Sequence, residues 1–148
     1  MCATLTVQST AGLVSASPIE PAYVLEQARE VAMHDNVKAI KTGALGSVAN
    51  VQAALQLVRE LSPLPAVVDP VMVASRAADG TRLLDSEARE AMRELVAHAT
   101  VVTPNVDEAQ ELLGCEIVDD HDLEEAARQL VRLGAKAALV KGGHLRGS

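Results

Sequence analysis

Pro65-Ala66-Val67-Val68-Asp69-Pro70 decides the fold: an aliphatic run too short for a helix, closed by a carboxylate and a proline. Short apolar runs bounded by turn residues read as buried strands. On its N-terminal side, Val48 to Leu61 carries Val51, Leu55, Val58 and Leu61 at helical spacing. On its C-terminal side, Pro70 to Asp85 mixes Ser, Ala, Asp79, Gly80 and Arg82 without period, which reads as a functional loop. Ser86 then suits the N-cap of a helix running to His98.

The same unit recurs outward. Thr100 to Thr103 is a strand stopped by Pro104. Asn105 caps a helix from Val106 to Leu113 that ends at Gly114, and a further helix spans Asp122 to Leu133 with Gly134 as its C-cap. A last strand, Ala137 to Lys141, runs into Gly142 and Gly143. Toward the N-terminus, Val37 to Lys41 is a strand, Gly43 and Gly46 form a loop, and Ala22 to His34 is a helix announced by Pro18 and Pro21. Ala3 to Gln8 alternates as a strand, and Ser9 to Gly12 break it. Strands separated by helices predict an α/β fold with a mainly parallel sheet and helices on both faces, in one unit over residues 1–148. The last strand lies close to Ser148, so the unit reads as interrupted.

Composition narrows the function. With no Phe or Trp and one Tyr, the core has to be aliphatic, and no aromatic platform exists for stacking on bases. A formal charge of −7 and the lack of any Lys/Arg run exclude a nucleic-acid partner of the usual basic type. Cys2 and Cys115 form no metal or disulfide spacing, and His34, His98 and His121 have none either. No apolar run is long enough to span a membrane and no signal peptide opens the chain, so the expectation is a cytoplasmic protein without a membrane partner.

In open α/β sheets ligands gather beyond the C-terminal strand ends. The polar residues sit there: Gln8, Thr42 to Gly46, Asp69, Thr103 to Asn105 with Glu108, and Lys141 to His144. Carboxylates for Mg²⁺ and a lysine for transferring phosphate are what phosphoryl transfer requires. No GxxxxGK[ST] loop is present. Each residue also has a plain reading. Asp69 can end a strand, Asn105 can cap a helix, Glu108 can be a solvated first-turn acid, Lys141 a surface lysine and Gln8 a polar strand residue.

Taken together, Asp69-Pro70-Val71-Met72-Val73-Ala74, Thr103-Pro104-Asn105 with Glu108, and Lys141-Gly142-Gly143-His144 resemble, in order and spacing, the hydroxymethylpyrimidine and phosphomethylpyrimidine kinases, which are ribokinase-like. Thr6-Val7-Gln8-Ser9-Thr10 and Arg82-Leu83-Leu84-Asp85 extend the likeness along the chain. The resemblance implies ATP-dependent phosphorylation of hydroxymethylpyrimidine or its monophosphate, in thiamine biosynthesis. It also implies roles: Gln8, Ala44 and Met72 toward the aminopyrimidine, Asp69 and Glu108 toward Mg²⁺, and Asn105, Glu108, Lys141, Gly142 and Gly143 toward ATP. Ala44 stands where the family carries Met, which alters the substrate pocket. The family's Gly-rich opening segment and its Gly-Thr-Gly-Cys element with the catalytic base are not among these residues, so no catalytic residue is assigned. The expectation is a central portion, inactive alone. Two alternatives stand beside it: a noncatalytic fragment or binding module that needs a complementing chain or forms a homodimer, and a pyridoxal kinase-like enzyme.

Overall fold

A computed structural model describes residues 1–71 and 88–142. Among these, an antiparallel hairpin pairs β1 (Thr4–Ser9) with β2 (Gly12–Pro18). A separate parallel sheet runs β3 (Ile40–Thr42), β4 (Ala66–Val68), β5 (Val101–Val102) and β6 (Ala137–Ala138), in chain order. The connecting helices are α1 (Pro21–His34), α2 (Val48–Glu60), α3 (Ala88–Ala97), α4 (Val106–Leu113) and α5 (Asp120–Arg132). The fold is α/β, a parallel sheet flanked by helices, as the alternating pattern predicts.

The helices form where apolar spacing and end signals coincide. Ser47 caps α2 by accepting from the Asn50 backbone N–H at 3.2 Å, and Pro21 opens α1 without needing a hydrogen-bond partner for its nitrogen. Gly114 ends α4 in the left-handed region at φ 70°. The predicted cap of α5 moves by one residue: Leu133 is the C-cap, and Gly134 follows it with its Cα against α3, where a Cβ would lie 2.8 Å from the Ala97 carbonyl. The core is aliphatic. Val51, Leu55 and Val58 of α2 meet Val68, Val102, Leu95, Val96, Leu112 and Leu130, and Met92 fills the centre.

The hairpin corrects the sequence reading. Residues 9–12 do not simply end a strand; Ser9 and Gly12 pair across Thr10 and Ala11, and the chain returns as β2. Gly-Leu-Val-Ser-Ala-Ser-Pro is poor in strand formers, so its extended state comes from pairing with β1 rather than from local preference. The hairpin therefore stands outside the parallel sheet, and Gln8 lies within β1 rather than beyond a sheet strand. The last strand is also shorter than expected: β6 ends at Ala138, and Lys141 rejoins the sheet edge through an isolated bridge to Asn105.

One buried amide ties the two sheets together. Asn50 is fully buried on α2, and its Nδ2 donates to the carbonyls of Ala3 at 2.9 Å, Ile19 at 3.0 Å and Leu45 at 2.9 Å. Ala3 precedes β1, Ile19 follows β2 and Leu45 follows β3, so this side chain fixes both feet of the hairpin over the end of β3. Gly46 permits the approach: with φ +80°, a Cβ there would sit 2.9 Å from Thr4 Oγ1.

Candidate active site at the C-terminal edge of the sheet

Backbone pairing carries the sheet order past the named strands. Asp69 N–H donates to the Thr42 carbonyl at 3.4 Å, Thr103 N–H to Val68 at 2.9 Å and Lys141 N–H to Pro104 at 2.8 Å. The polar residues that follow β3, β4, β5 and β6 are thereby held side by side. Pro70 and Pro104, both fully buried, fix the chain direction where it leaves β4 and β5.

Asp69 is the centre of this edge. Its Oδ1 accepts from Lys141 Nζ at 3.1 Å and its Oδ2 lies 3.5 Å from Lys41 Nζ. The carboxylate is 22% exposed, against 45% for Lys141 and 64% for Lys41, so two exposed cations converge on a more sheltered anion. Beyond ending β4, Asp69 is thus contacted by lysines from two separate segments. With two ammonium groups to one carboxylate, the cluster keeps an excess positive charge suited to phosphate.

Asn105 and Glu108 form a reciprocal cap at the start of α4. Asn105 Oδ1 accepts from the Glu108 N–H at 2.8 Å, and Glu108 Oε2 accepts from the Asn105 N–H at 2.8 Å. Glu108 is 4% exposed, so it is a buried carboxylate and not the solvated first-turn acid that its position suggests. The cap orients the α4 N-terminus, where backbone N–H groups and the helix dipole favour an anion, next to Lys141. Gly142 adjoins it, half-buried. Met72, Gly143 and His144 lie outside the described residues, as do Val73, Ala74, Arg82-Leu83-Leu84-Asp85 and the cap assigned to Ser86.

A cleft of about 410 Å³ opens between the hairpin and the end of β3. Thr4, Thr6 and Gln8, on one face of β1, form one wall, and Lys41 to Leu45 form the other. Gln8 and Ala44, both assigned to substrate from the sequence, do meet in this cleft. Thr42 Oγ1, at the strand end where the sequence places candidate ligand-facing residues, is buried in the same wall with no hydrogen-bond partner among the described residues. Lys41 was missed, although it directly precedes the loop that supplied Ala44. The one signal available was its place at a strand end, where ligands collect.

Elsewhere, Asp119, His121 and Asp122 bring potential metal-ligand atoms within 4.8 Å of one another among the described residues. Both carboxylates are engaged in capping: Asp119 Oδ1 accepts from the Asp122 N–H and Asp122 Oδ2 from the Val118 N–H. His34, His98 and His121 are exposed. No helix among the described residues is long and apolar enough to cross a membrane.

A family model for phosphomethylpyrimidine kinase matches residues 1–148. A hydroxymethylpyrimidine/phosphomethylpyrimidine kinase of Streptomyces coelicolor is 40% identical over 144 residues, which cover 97% of this chain and 52% of that protein. The crystal structure of a phosphomethylpyrimidine kinase from Clostridium difficile superposes with a TM-score of 0.85 at 30% identity, over 99% of this chain and 62% of that one. A pyridoxal kinase from Staphylococcus aureus, in complex with pyridoxal, superposes at 0.80 with 28% identity, over 97% of this chain and 52% of that one. The chain thus spans about half the length of the curated relatives it matches. On a match that runs from the first residue to the last, the chain belongs to the phosphomethylpyrimidine kinase family.

Proposed function

We propose that this chain carries the acceptor cleft and part of the phosphate-binding edge of an ATP-dependent kinase acting on hydroxymethylpyrimidine or its monophosphate. The observation that carries the reading is the grip of Lys41 and Lys141 on Asp69, between the cleft and the α4 N-terminus. Acceptor and nucleotide must meet at such a point for direct transfer.

The donor set fits ATP: Lys141 and the α4 N-terminus offer positive charge to its phosphates, and the half-buried Gly142 lets the backbone come close. Mg²⁺, when bound with ATP, would supply charge neutralisation at the transferring phosphoryl group. Asp69 is the carboxylate that would hold it, in place of part of the pairing that the two lysines make. Glu108 contributes at one remove, through the cap that fixes Asn105. Gln8 and Ala44 contact the aminopyrimidine, and the smaller Ala44 leaves the cleft roomier than the family's Met would.

These residues bind and orient, and the reading assigns none of them the removal of the acceptor's proton. The 148-residue chain alone is therefore expected to bind nucleotide and acceptor but to turn over poorly unless a complementing chain supplies that group. Exposed Leu5, Val7 and Val14 on the hairpin favour its self-association. A pyridoxal kinase-like reading rests on the similarity to the Staphylococcus enzyme, and competition between pyridoxal and hydroxymethylpyrimidine for the cleft separates the two.

Calorimetry with Mg-ATP tests the phosphate half. The account expects measurable binding that falls at least about tenfold in Asp69→Ala and in Lys141→Ala, as losing a charge-assisted contact does. Equal affinity in the wild-type chain and both variants would overturn it.

A further inference from the structure

Two acids stand at the strand ends proposed for metal, and they differ in access. Glu108 is 4% exposed and accepts the Asn105 N–H at 2.8 Å, whereas the Asp69 side chain is 22% exposed. Yet Asp69 is already held twice, by Lys141 at 3.1 Å and by Lys41 at 3.5 Å. Lys41 and Asp69 share one face of the sheet, since Lys41 pairs with Val67 and Asp69 lies two positions beyond Val67. Two ammonium groups over one carboxylate leave positive charge where a divalent cation would sit. A cation that arrives alone therefore meets repulsion and has to displace both partners. The lysines are the looser members, 45% and 64% exposed on long stems, and are free to follow an anion. A polyphosphate docking at the α4 N-terminus, beside Lys141, is such an anion.

We propose that Lys41 and Lys141 are built-in counter-ions that close the Asp69 carboxylate to a free divalent cation, and that polyphosphate draws them off, so that this site takes metal only together with the nucleotide. The proposal rests on the kinase reading above and adds to it a rule for the order of binding. No covalent bond changes. Each ammonium group leaves the carboxylate for a phosphate oxygen, where it keeps a charge-assisted contact, and the carboxylate oxygens so released accept the cation that the phosphates carry. Opposite charges are matched before and after this exchange. A cation alone would instead leave two ammonium groups beside it without an anion. The two lysines differ in place: Lys141 stands next to Asn105 at the start of α4, and Lys41 lines the cleft. Lys41 makes the longer contact from the more exposed side chain, so it is the outer counter-ion, a positioning residue that sets how tightly the carboxylate is closed. The site thereby distinguishes Mg-ATP from the metal alone.

The experiment titrates the nitrogen-15-labelled 148-residue chain with manganese chloride alone and with Mn-ATP, and reads paramagnetic broadening at the amides of Asp69, Val71 and Thr103, which flank the carboxylate. In the wild-type chain Mn-ATP should broaden these amides, and manganese chloride at the same concentration should leave them sharp. Lys41→Met should tighten free Mn²⁺ at this site about fivefold or more, Lys41→Arg should restore closure, and Asp69→Asn should abolish the broadening. The Lys41 side chain is largely exposed, so its substitution should not disturb folding. Lys141→Ala should move the two probes in opposite directions, with tighter free Mn²⁺ and weaker Mn-ATP, a split that a general loss of structure does not produce. Lys136→Met, at the opposite end of β6, controls for net charge and should change neither. Three outcomes overturn the proposal: free Mn²⁺ broadening the wild-type amides as readily as Mn-ATP, free Mn²⁺ affinity unchanged in both Lys41→Met and Lys141→Ala, or broadening that survives Asp69→Asn. In each Mn-ATP still binds and the kinase reading stands. If Mn-ATP does not bind the wild-type chain, the kinase reading fails together with the proposal.

Discussion

Asn50 shows how much of a site can depend on a residue that never touches a ligand. Its amide serves carbonyls from three segments, and those segments form or flank the cleft. Asn50→Ala removes the donor that the Ile19 and Leu45 carbonyls share, while Ala3 keeps the Ile19 N–H, at a cost of about 1–3 kcal/mol for buried groups left unpaired. Asn50→Asp should be worse, since it sets a carboxylate against carbonyl oxygens. Thermal unfolding measures the stability loss, and the account expects the cleft's affinity for hydroxymethylpyrimidine to fall with it while Mg-ATP binding at Lys141 holds. Nothing in the sequence marks Asn50. It sits in a helix whose apolar spacing is complete without it, and its partners are backbone carbonyls separated from it by up to 47 positions. Asp69 stood out because its neighbours form a motif, whereas Lys41 gained meaning only from the carboxylate that stands opposite it.

At the scale of elements, the sequence discloses helices better than strands, for a physical reason. The helices carry periodic apolar faces and local caps, so α4 is found to the residue from Asn105 and Gly114 alone. β2 has neither periodic apolar content nor a strong hairpin turn, and its structure resides in a partner. The α1–α2 contact illustrates a tie that no local pattern contains. Arg29 on α1 meets Glu60 at the end of α2 in a two-pronged pair, with Nη2 to Oε1 at 2.7 Å and Nε to Oε2 at 3.0 Å. The hydrogen bond from Arg29, helped by Gln56, holds the Glu60 carboxyl below the usual carboxylate range. A carboxyl depressed in the folded state adds stability at neutral pH that fades as pH drops below the unfolded value of about 4.3 and vanishes below the folded one. Melting temperatures of the wild-type chain and Glu60→Gln should therefore differ at pH 7 and converge in acid. A gap that stays constant from pH 7 to pH 3 would contradict the pairing. Because both side chains are exposed, added salt should narrow the gap.

For the whole molecule, the layout divides one task between two walls. A hairpin that stands off the sheet supplies Thr4, Thr6 and Gln8, β3 and the loop after it supply Lys41, Thr42 and Ala44, and Asp69 links that cleft to the α4 N-terminus. The overall architecture was readable because alternation of strand and helix admits few topologies, and the position of the site followed from the rule that strand ends gather ligands. The cleft itself was not readable, since it exists only between two sheets that the sequence does not distinguish. Nitrogen-15 chemical-shift mapping of the 148-residue chain, titrated in turn with hydroxymethylpyrimidine and Mg-ATP, tests this division most directly. The account predicts that hydroxymethylpyrimidine moves the amides of Thr4 to Gln8 and Thr42 to Leu45, and that Mg-ATP moves those of Asp69, Asn105, Lys141 and Gly142. Shifts for both ligands on one and the same set of residues, or on neither set, would contradict it.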